Sequence, residues 1–382
     1  VAEGVCYRLW ARAEEGALRR AAPAEIETTD LAGLALDLAA WGARDPGALA
    51  FLPPPNTGAF AAAQELLRLL GALDETGALT DAGRAMARVP AHPRIAHMLA
   101  SAGPGAAGLA ALLSDRDPMR GAGADLGSRL KALENGDPRA DRGILAGIRS
   151  EARRLRRFAG TERKLSAGQM AALAYPDRVG LRRPGDDPRW VLSGGTGVRM
   201  DAGDTLAGAR LIVVTDTDGA PREALVRQAI EISEAELREI AGTAIAWDTV
   251  CRWSRREARV VARRQERLGA IVLDDRMWRD VSDDAVAQAM LDGVRDLGLR
   301  FSPAADRFRA RVALVRAAGA DLPDLGREAL LAGLETWLLP SLAGVRTAAD
   351  WANVDLLDPL RAMLTWDQMQ QLDRAAPATF ET

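Results

Sequence analysis

Lysine is nearly absent from this 382-residue chain: of its 50 basic residues only Lys131 and Lys164 are lysines, which leaves 48 arginines. A P-loop needs Gly-Lys followed by Ser or Thr, so that backbone N–H groups and the lysine together cradle a nucleotide's phosphates. Lys131 follows Leu130 and Lys164 follows Arg163, which excludes that motif. Histidine is equally scarce. His92 and His97 stand five apart with no acid between them, which excludes an HExxH zinc helix, and neither adjoins Asp74-Glu75 to make an Asp-Glu-Ala-His box. No G-x-S-x-G elbow accompanies either histidine, so a serine triad has no support. Ser193-Gly194-Gly195-Thr196-Gly197 lacks the G-x-G-x-x-G pattern and reads as a turn between strands. Cys6 and Cys251 are too few and too distant in sequence for a disulfide framework or a cysteine metal site. No apolar run approaches 18 residues without a charge or a breaker, and Glu3, Arg8, Arg12, Glu14 and Glu15 interrupt any signal-like stretch. These absences point to a cytoplasmic protein without a membrane partner, and to a chain that is not a catalyst by itself.

What is present is an ordinary globular balance, 48% hydrophobic and 27% charged, in a chain long enough for two to four domains. The formal net charge of −3 means that any nucleic-acid site must be a local patch. The arginine bias fits a GC-rich codon preference, and it also supplies the better phosphate ligand, whose planar fork donates two hydrogen bonds at once.

The hydrophobic pattern predicts a mainly α, multidomain fold with a small antiparallel β-barrel. Val5, Tyr7 and Leu9 alternate as in a strand. After Pro23, Thr29 or Asp30 can cap a helix whose Leu31, Leu34, Leu38 and Trp41 share one face before Gly42 stops it. Beyond Pro53-Pro54-Pro55 a second amphipathic helix places Phe60, Ala63, Leu67 and Leu70 together, and Leu73 to Thr80 then reads as a short β-turn. Helix, helix and β-turn in that order describe a winged helix. Helical patterning continues from Asp81 to about Gln169, broken at prolines. Within it, Ile144 to Lys164 predicts a strongly basic helix: Arg149, Arg153, Arg154, Arg156, Arg157, Arg163 and Lys164 stand against Glu151 and Glu162. Such a run is either a solvated face or a nucleic-acid track. Near Ala171 the period changes to two. Strands are expected over Trp190–Leu192, Leu211–Val214 and Pro221–Ile232, and further ones over Thr249–Trp253, Arg259–Arg264 and Ala270–Leu273, all in one barrel. Helix resumes after Ser282, with Val286, Met290, Val294 and Leu297 on one face, then after Ser302-Pro303 with Phe308, Val312 and Val315 aligned. Trp337, Trp351 and Trp366 are expected in the core of the tail.

Several blocks resemble the C-terminal half of a DEAH-box ATP-dependent RNA helicase, most closely the HrpB type. Gly4-Val5-Cys6-Tyr7-Arg8-Leu9-Trp10 is similar to the strand after the last motif of the second RecA-like domain. Leu70-Gly71-Ala72-Leu73-Asp74, Gly77-Ala78-Leu79-Thr80, Gly83-Arg84-Ala85-Met86-Ala87 and His92-Pro93-Arg94 resemble the helicase-associated region. Ala111 to Asp117 and Ala174-Tyr175-Pro176-Asp177-Arg178-Val179 point to the HrpB branch, and Leu268-Gly269-Ala270 with Leu342 to Arg346 fit its C-terminal extension. The resemblance implies the end of a RecA-like domain over 1–22, a winged helix over 23–89, a helical ratchet bundle over 90–170, an OB-like β region over 171–280 and a helical C-terminal domain over 281–382. It also implies that the family's ATP, Mg²⁺ and arginine-finger motifs lie before Val1, so that no cofactor belongs to this stretch.

The expected function is therefore the accessory half of an ATP-dependent RNA helicase, gripping single-stranded RNA or other nucleic acid for a RecA-like core. Arg149, Arg153, Arg156, Arg157, Arg163 and Lys164 are the candidate contacts. The alternatives are a stand-alone winged-helix regulator, disfavoured because the second helix carries only Arg68 as a positive charge, and a helical protein-interaction scaffold. The missing phosphate cradle yields a first test: the purified chain should show no RNA-stimulated ATP turnover in a phosphate-release assay.

Overall fold

A computed structural model describes residues 3–5, 7–11, 13–17, 22–220 and 222–378. Cys6 lies outside the described residues. The strand expected around Val5 to Leu9 is not formed: the described residues there are irregular and exposed. The chain divides into two units, one of residues 1–242 with 269–271, the other of residues 243–268 with 272–382.

The first unit opens with helix α1 (Ala32–Trp41) and helix α2 (Thr57–Leu69). The Asp30 carboxylate accepts from the Ala32 N–H at 2.7 Å, and Asn56 accepts from Ala59 at 2.9 Å, so both helices start on short polar side chains. The predicted face of α2 is buried at Phe60, Ala63, Leu67 and Leu70. On α1, Leu31, Ala35 and Leu38 form the buried stripe, but Trp41 is 82% exposed. Trp41 is the last helical residue, and Gly42 turns the chain left-handed (φ 84°) before another turn can cover it. The wing follows as a bridge between Leu73 and Leu79, closed by an Asp74 carboxylate that accepts from the N–H groups of Thr76 and Ala78. Helix α3 (Asp81–Met86) then returns so close that a Cβ on Gly83 would stand 2.2 Å from the Ala72 carbonyl.

A bundle follows, made of α4 (Pro93–Ala102), α5 (Ala107–Ser114), α6 (Leu126–Asn135), α7 (Arg142–Leu155) and α8 (Ala167–Ala174). His92 caps α4: its Nδ1 accepts from the Arg94 N–H at 3.2 Å, while its Nε2 lies 3.4 Å from Asp30. That contact holds the Asp30 carboxyl down to about 2, chiefly through the His92 hydrogen bond. Arg94 is buried. Its guanidinium donates twice to Asp177, once to the Ala174 carbonyl, and lies 5.0 Å over the Tyr175 ring. Burial pushes Asp177 up, and the Arg94 hydrogen bonds with the charges of Arg94 and Arg178 outweigh it, leaving the carboxyl below its ordinary range. Arg129 is likewise buried and bound to Asp117.

Strands β1 (Val179–Arg182), β2 (Arg189–Leu192), β3 (Gly197–Arg199), β4 (Leu211–Thr217) and β5 (Glu223–Glu231) close into a barrel in the order β1-β2-β3-β5-β4. Every pair is antiparallel except β3 with β5, which run parallel, the arrangement of an OB-fold. Trp190, fully buried in its interior with Val198, Ile212 and Val214, donates from its indole to the Ala209 carbonyl. Helix α9 (Glu234–Ala241) ends this part.

The later predicted strands do not join the barrel. β6 (Ile245–Ser254), β7 (Arg259–Leu268) and β8 (Ile271–Met277) form a separate three-stranded sheet, in the second unit but for the first residue of β8. The barrel closes with five strands, and β6 and β7 instead pair along ten residues each as one long hairpin. Helix α10 (Asp283–Leu297), capped by Ser282, lies on this sheet: Cys251 donates to the Ala285 carbonyl, and a Cβ on Gly293 would meet the Trp253 ring at 2.7 Å. Helix α11 (Pro303–Ala317) buries Phe308, Val312 and Val315 as expected. Trp337 and Trp351 are core residues, whereas Trp366 opens the last helix, α12 (Trp366–Ala375), and is 74% exposed.

Two stability predictions follow from these contacts. Asp177→Ala leaves Arg94 buried without its counter-charge and should cost about 3 kcal/mol in chemical denaturation, while Arg94→Met with Asp177→Ala should lose less than the two single changes together. Asp30, with its pKa depressed, stabilises the fold above its unfolded pKa near 3.8, and this contribution is lost as pH falls toward about 2. In His92→Ala that contribution should shrink, so the variant should be less stable than wild type above about pH 4 and the two should converge as pH falls toward about 2, read from unfolding curves across that range.

Candidate nucleic-acid interface

The basic run is placed on two kinds of backbone. Helix α7 starts at an Asp141 cap and buries Leu145, Ile148, Ala152 and Leu155 against the bundle. It ends at Leu155 rather than Lys164, with one 3-10 turn over Arg156–Phe158. The segment beyond is held to the end of α4 instead: the Gly160 N–H donates to the Leu99 carbonyl and the Arg163 N–H to Ala102. A Cβ on Gly160 would stand 2.1 Å from the Ala100 carbonyl, so this close approach takes only glycine there. Arg163, which donates to the Ser101 carbonyl at 3.4 Å, and Lys164 therefore lie on an extended segment and not on the predicted helix.

Three of the six candidate residues come together. Arg149, Arg153 and Arg156 line one groove of about 570 Å³. Its floor is uncharged, with Gly105, Gly108, Leu109, Leu130 and Met170 among the lining residues, and Glu134 is the single acid on its wall. The three arginines differ in what they are free to do. Arg149 donates from Nε and Nη2 to the Leu133 carbonyl at 3.0 and 2.7 Å, closing the C-terminal turn of α6. Arg153 and Arg156 are exposed and have no ion pair or side-chain hydrogen bond among the described residues. Arg154, between them in sequence, is tied to Glu151. Arg157 lies 4.9 Å over the Phe158 ring and does not line the groove.

The groove floor was not legible as part of a site. Gly105 and Gly108 carry a signal only in retrospect, as glycines at the start of an otherwise apolar helix. What the arrangement offers is a pair of guanidinium groups without partners among the described residues, beside a cleft whose other lining residues are mostly small or apolar, suited to a phosphate backbone with room for an unstacked base.

A second cavity of about 520 Å³ lies where Asp30, His92, Arg94, Tyr175 and Arg178 converge. Its charged groups pair with one another or with their neighbours, apart from Arg178, which sits 5.3 Å over the Tyr175 ring and donates to the Thr215 carbonyl. Its polar groups thus serve the fold. The second winged-helix helix offers little to a duplex: Arg68 donates to Glu65.

Comparisons with known proteins bear on the fold that carries this groove. The helicase-associated domain (HA2) winged-helix family model matches residues 63–91, and the connector region of ATP-dependent RNA helicase HrpB matches residues 244–276, the three-stranded sheet. The ATP-dependent RNA helicase HrpB of Escherichia coli K12 is 31% identical over 96% of this chain. Two crystal structures of E. coli HrpB, one described as a DExH-box NTPase and one as a DEAH/RHA helicase, superpose with a TM-score of 0.60 at 29% and 28% identity over 97% of the chain. The chain spans about half the length of these relatives, 46% of the curated protein. It is homologous to the C-terminal part of the HrpB-type helicases, carrying their helicase-associated winged helix and their connector.

Proposed function

We propose that this chain is the accessory half of an ATP-dependent RNA helicase, and that it holds single-stranded nucleic acid while a RecA-like core supplies the ATPase. The observation that carries the reading is that Arg153 and Arg156, on one wall of the α7 groove, have no ion pair or side-chain hydrogen bond among the described residues. Two or three phosphates along an uncharged floor suit a backbone track, so sequence preference should be slight. The expected location is cytoplasmic, and no described helix is long and apolar enough to cross a membrane.

ATP and Mg²⁺ are implied for the whole family protein, and the residues present here do not fit them. The chain has no Gly-Lys-Ser/Thr cradle, and among the described residues no three acidic, histidine or cysteine side chains converge to hold a metal ion. The chain's own part is positional: α7 fixes the spacing of the guanidinium groups, and Arg149 locks α7 to the end of α6.

The test separates grip from fold. Each phosphate contact on a single strand contributes roughly −0.7 to the slope of log affinity against log salt. Arg153→Ala with Arg156→Ala should weaken binding to oligouridylate and flatten that slope by about one to one and a half units, with thermal stability unchanged. Arg149→Ala should chiefly lower thermal stability, because it frees a helix-end carbonyl. An unaltered slope in the double variant would remove the groove from the nucleic-acid path. Tighter binding of duplex DNA than of single strands would favour the regulator reading.

A further inference from the structure

The connector sheet holds an aromatic site that the groove does not explain. In the β6–β7 pairing Trp247 stands opposite Glu266, Thr249 opposite Arg264, Cys251 opposite Ala262 and Trp253 opposite Val260. Alternation places Trp247, Thr249, Cys251 and Trp253 on one face of β6. Helix α10 covers the Cys251 and Trp253 end of that face, through the Ala285 carbonyl and Gly293. The Trp247 end is bare. Trp247 is 38% exposed, with the Arg264 guanidinium 5.3 Å and the Arg276 guanidinium 4.9 Å from its ring centre. Arg264 is exposed and has no carboxylate partner among the described residues, whereas Arg276 donates to Asp274.

A large exposed ring held between strands and flanked by planar cations is costly to leave in water, and nothing in the sheet's own packing requires it. We propose that Trp247, with Arg264 and Arg276, is a second single-strand contact, on which an unstacked base lies against the indole or an adjoining guanidinium plane. The inference rests on the reading of the chain as a single-strand binder. The occupant is a single strand and not a duplex, because a paired base presents its faces to its neighbours in the stack and has none to offer. Little net charge gathers at the ring: on the Trp247 face of β7 Arg264 stands with Glu266, and on β8 Arg276 is paired with Asp274. Binding at this site is therefore stacking, indifferent to sequence and nearly indifferent to salt, unlike that of the α7 groove.

That difference in salt response supplies the test. Oligouridylate carrying 4-thiouridine is bound to the full chain, photocrosslinked, and affinity is measured across a salt series. The proposal expects a crosslink on the peptide containing β6, and a several-fold loss of affinity in Trp247→Ala with the salt slope unchanged. Trp247→Phe, which keeps a ring, should retain most of the affinity, and Arg264→Ala serves as the second probe if Trp247→Ala is poorly folded. In the Arg153→Ala/Arg156→Ala background the β6 crosslink should persist. A folded Trp247→Ala protein that binds like wild type, or a crosslink map without β6, overturns the proposal and leaves the face to a protein partner. A flattened slope in the double arginine variant, with Trp247→Ala silent, would keep the groove and reject this site. The reverse pattern would reject the groove alone.

Discussion

The first unit depends on one buried ion pair. Arg94 sits near the start of the first bundle helix, and Asp177 stands 83 residues later where the barrel begins. A lone arginine taken out of water costs several kcal/mol, so Arg94 is tolerable only with its carboxylate in place. The pair therefore makes helix α4 and the entry to β1 conditional on each other. Tyr175 lies beneath the same guanidinium, and Arg178 beside the same ring, so the junction is filled by flat groups stacked together. Arg129 and Asp117 repeat the device inside the bundle. Arginine serves here where lysine would not, because one planar fork satisfies a carboxylate and a helix-end carbonyl simultaneously.

The chain's 48 arginines stand among 53 acidic residues, which gives it net charge −3 and leaves many guanidinium groups a carboxylate to bind. Many guanidinium groups are occupied by carboxylates a few residues away, as at Arg154 with Glu151, Arg238 with Glu234 and Arg295 with Asp292. Those pairs cancel at any distance a ligand can sense. In the groove, Arg153 and Arg156 have no such partner among the described residues, and their charge makes its local field. The spacing of basic residues gives no hint of this distinction; it is decided by which acids lie one helical turn away.

Local chemistry was well legible in the sequence. Asp30, Ser282 and Ser302 accept from helix-start N–H groups where the sequence places a cap or a helix start, and the faces of α2 and α11 are buried as their spacing requires. The motif blocks that resemble the helicases turn out to hold the long-range partners: His92-Pro93-Arg94 meets Asp177, and Asp117 meets Arg129. What could not be read depends on contacts distant in sequence. The basic helix stops at Leu155 because its continuation pairs with α4 across Gly160, and the sequence pattern there is unchanged. The strands after Ile245 look like barrel strands, since alternation reports a half-buried strand but not which sheet it joins. Trp41, Trp247 and Trp366 are as hydrophobic as buried tryptophans, and only the tertiary fold leaves them facing water.

The closed barrel and the three-stranded sheet also differ in how they meet other molecules of their own kind. A barrel that closes on itself through β3 and β5 has no unpaired strand to present. The connector sheet has two outer strands, and β6, at ten residues, is a long one. Its row of unpaired N–H and C=O groups is a template on which another extended chain can add by backbone hydrogen bonding alone. Asp248 and Arg252 interrupt that strand with charge, and Asp274, Asp275 and Arg276 do the same on β8. These residues act as guards against edge-to-edge growth, and Asp275 at the same time ties β8 to Arg263 and Gln265 of β7, so the charges that protect the edge also hold the sheet behind it.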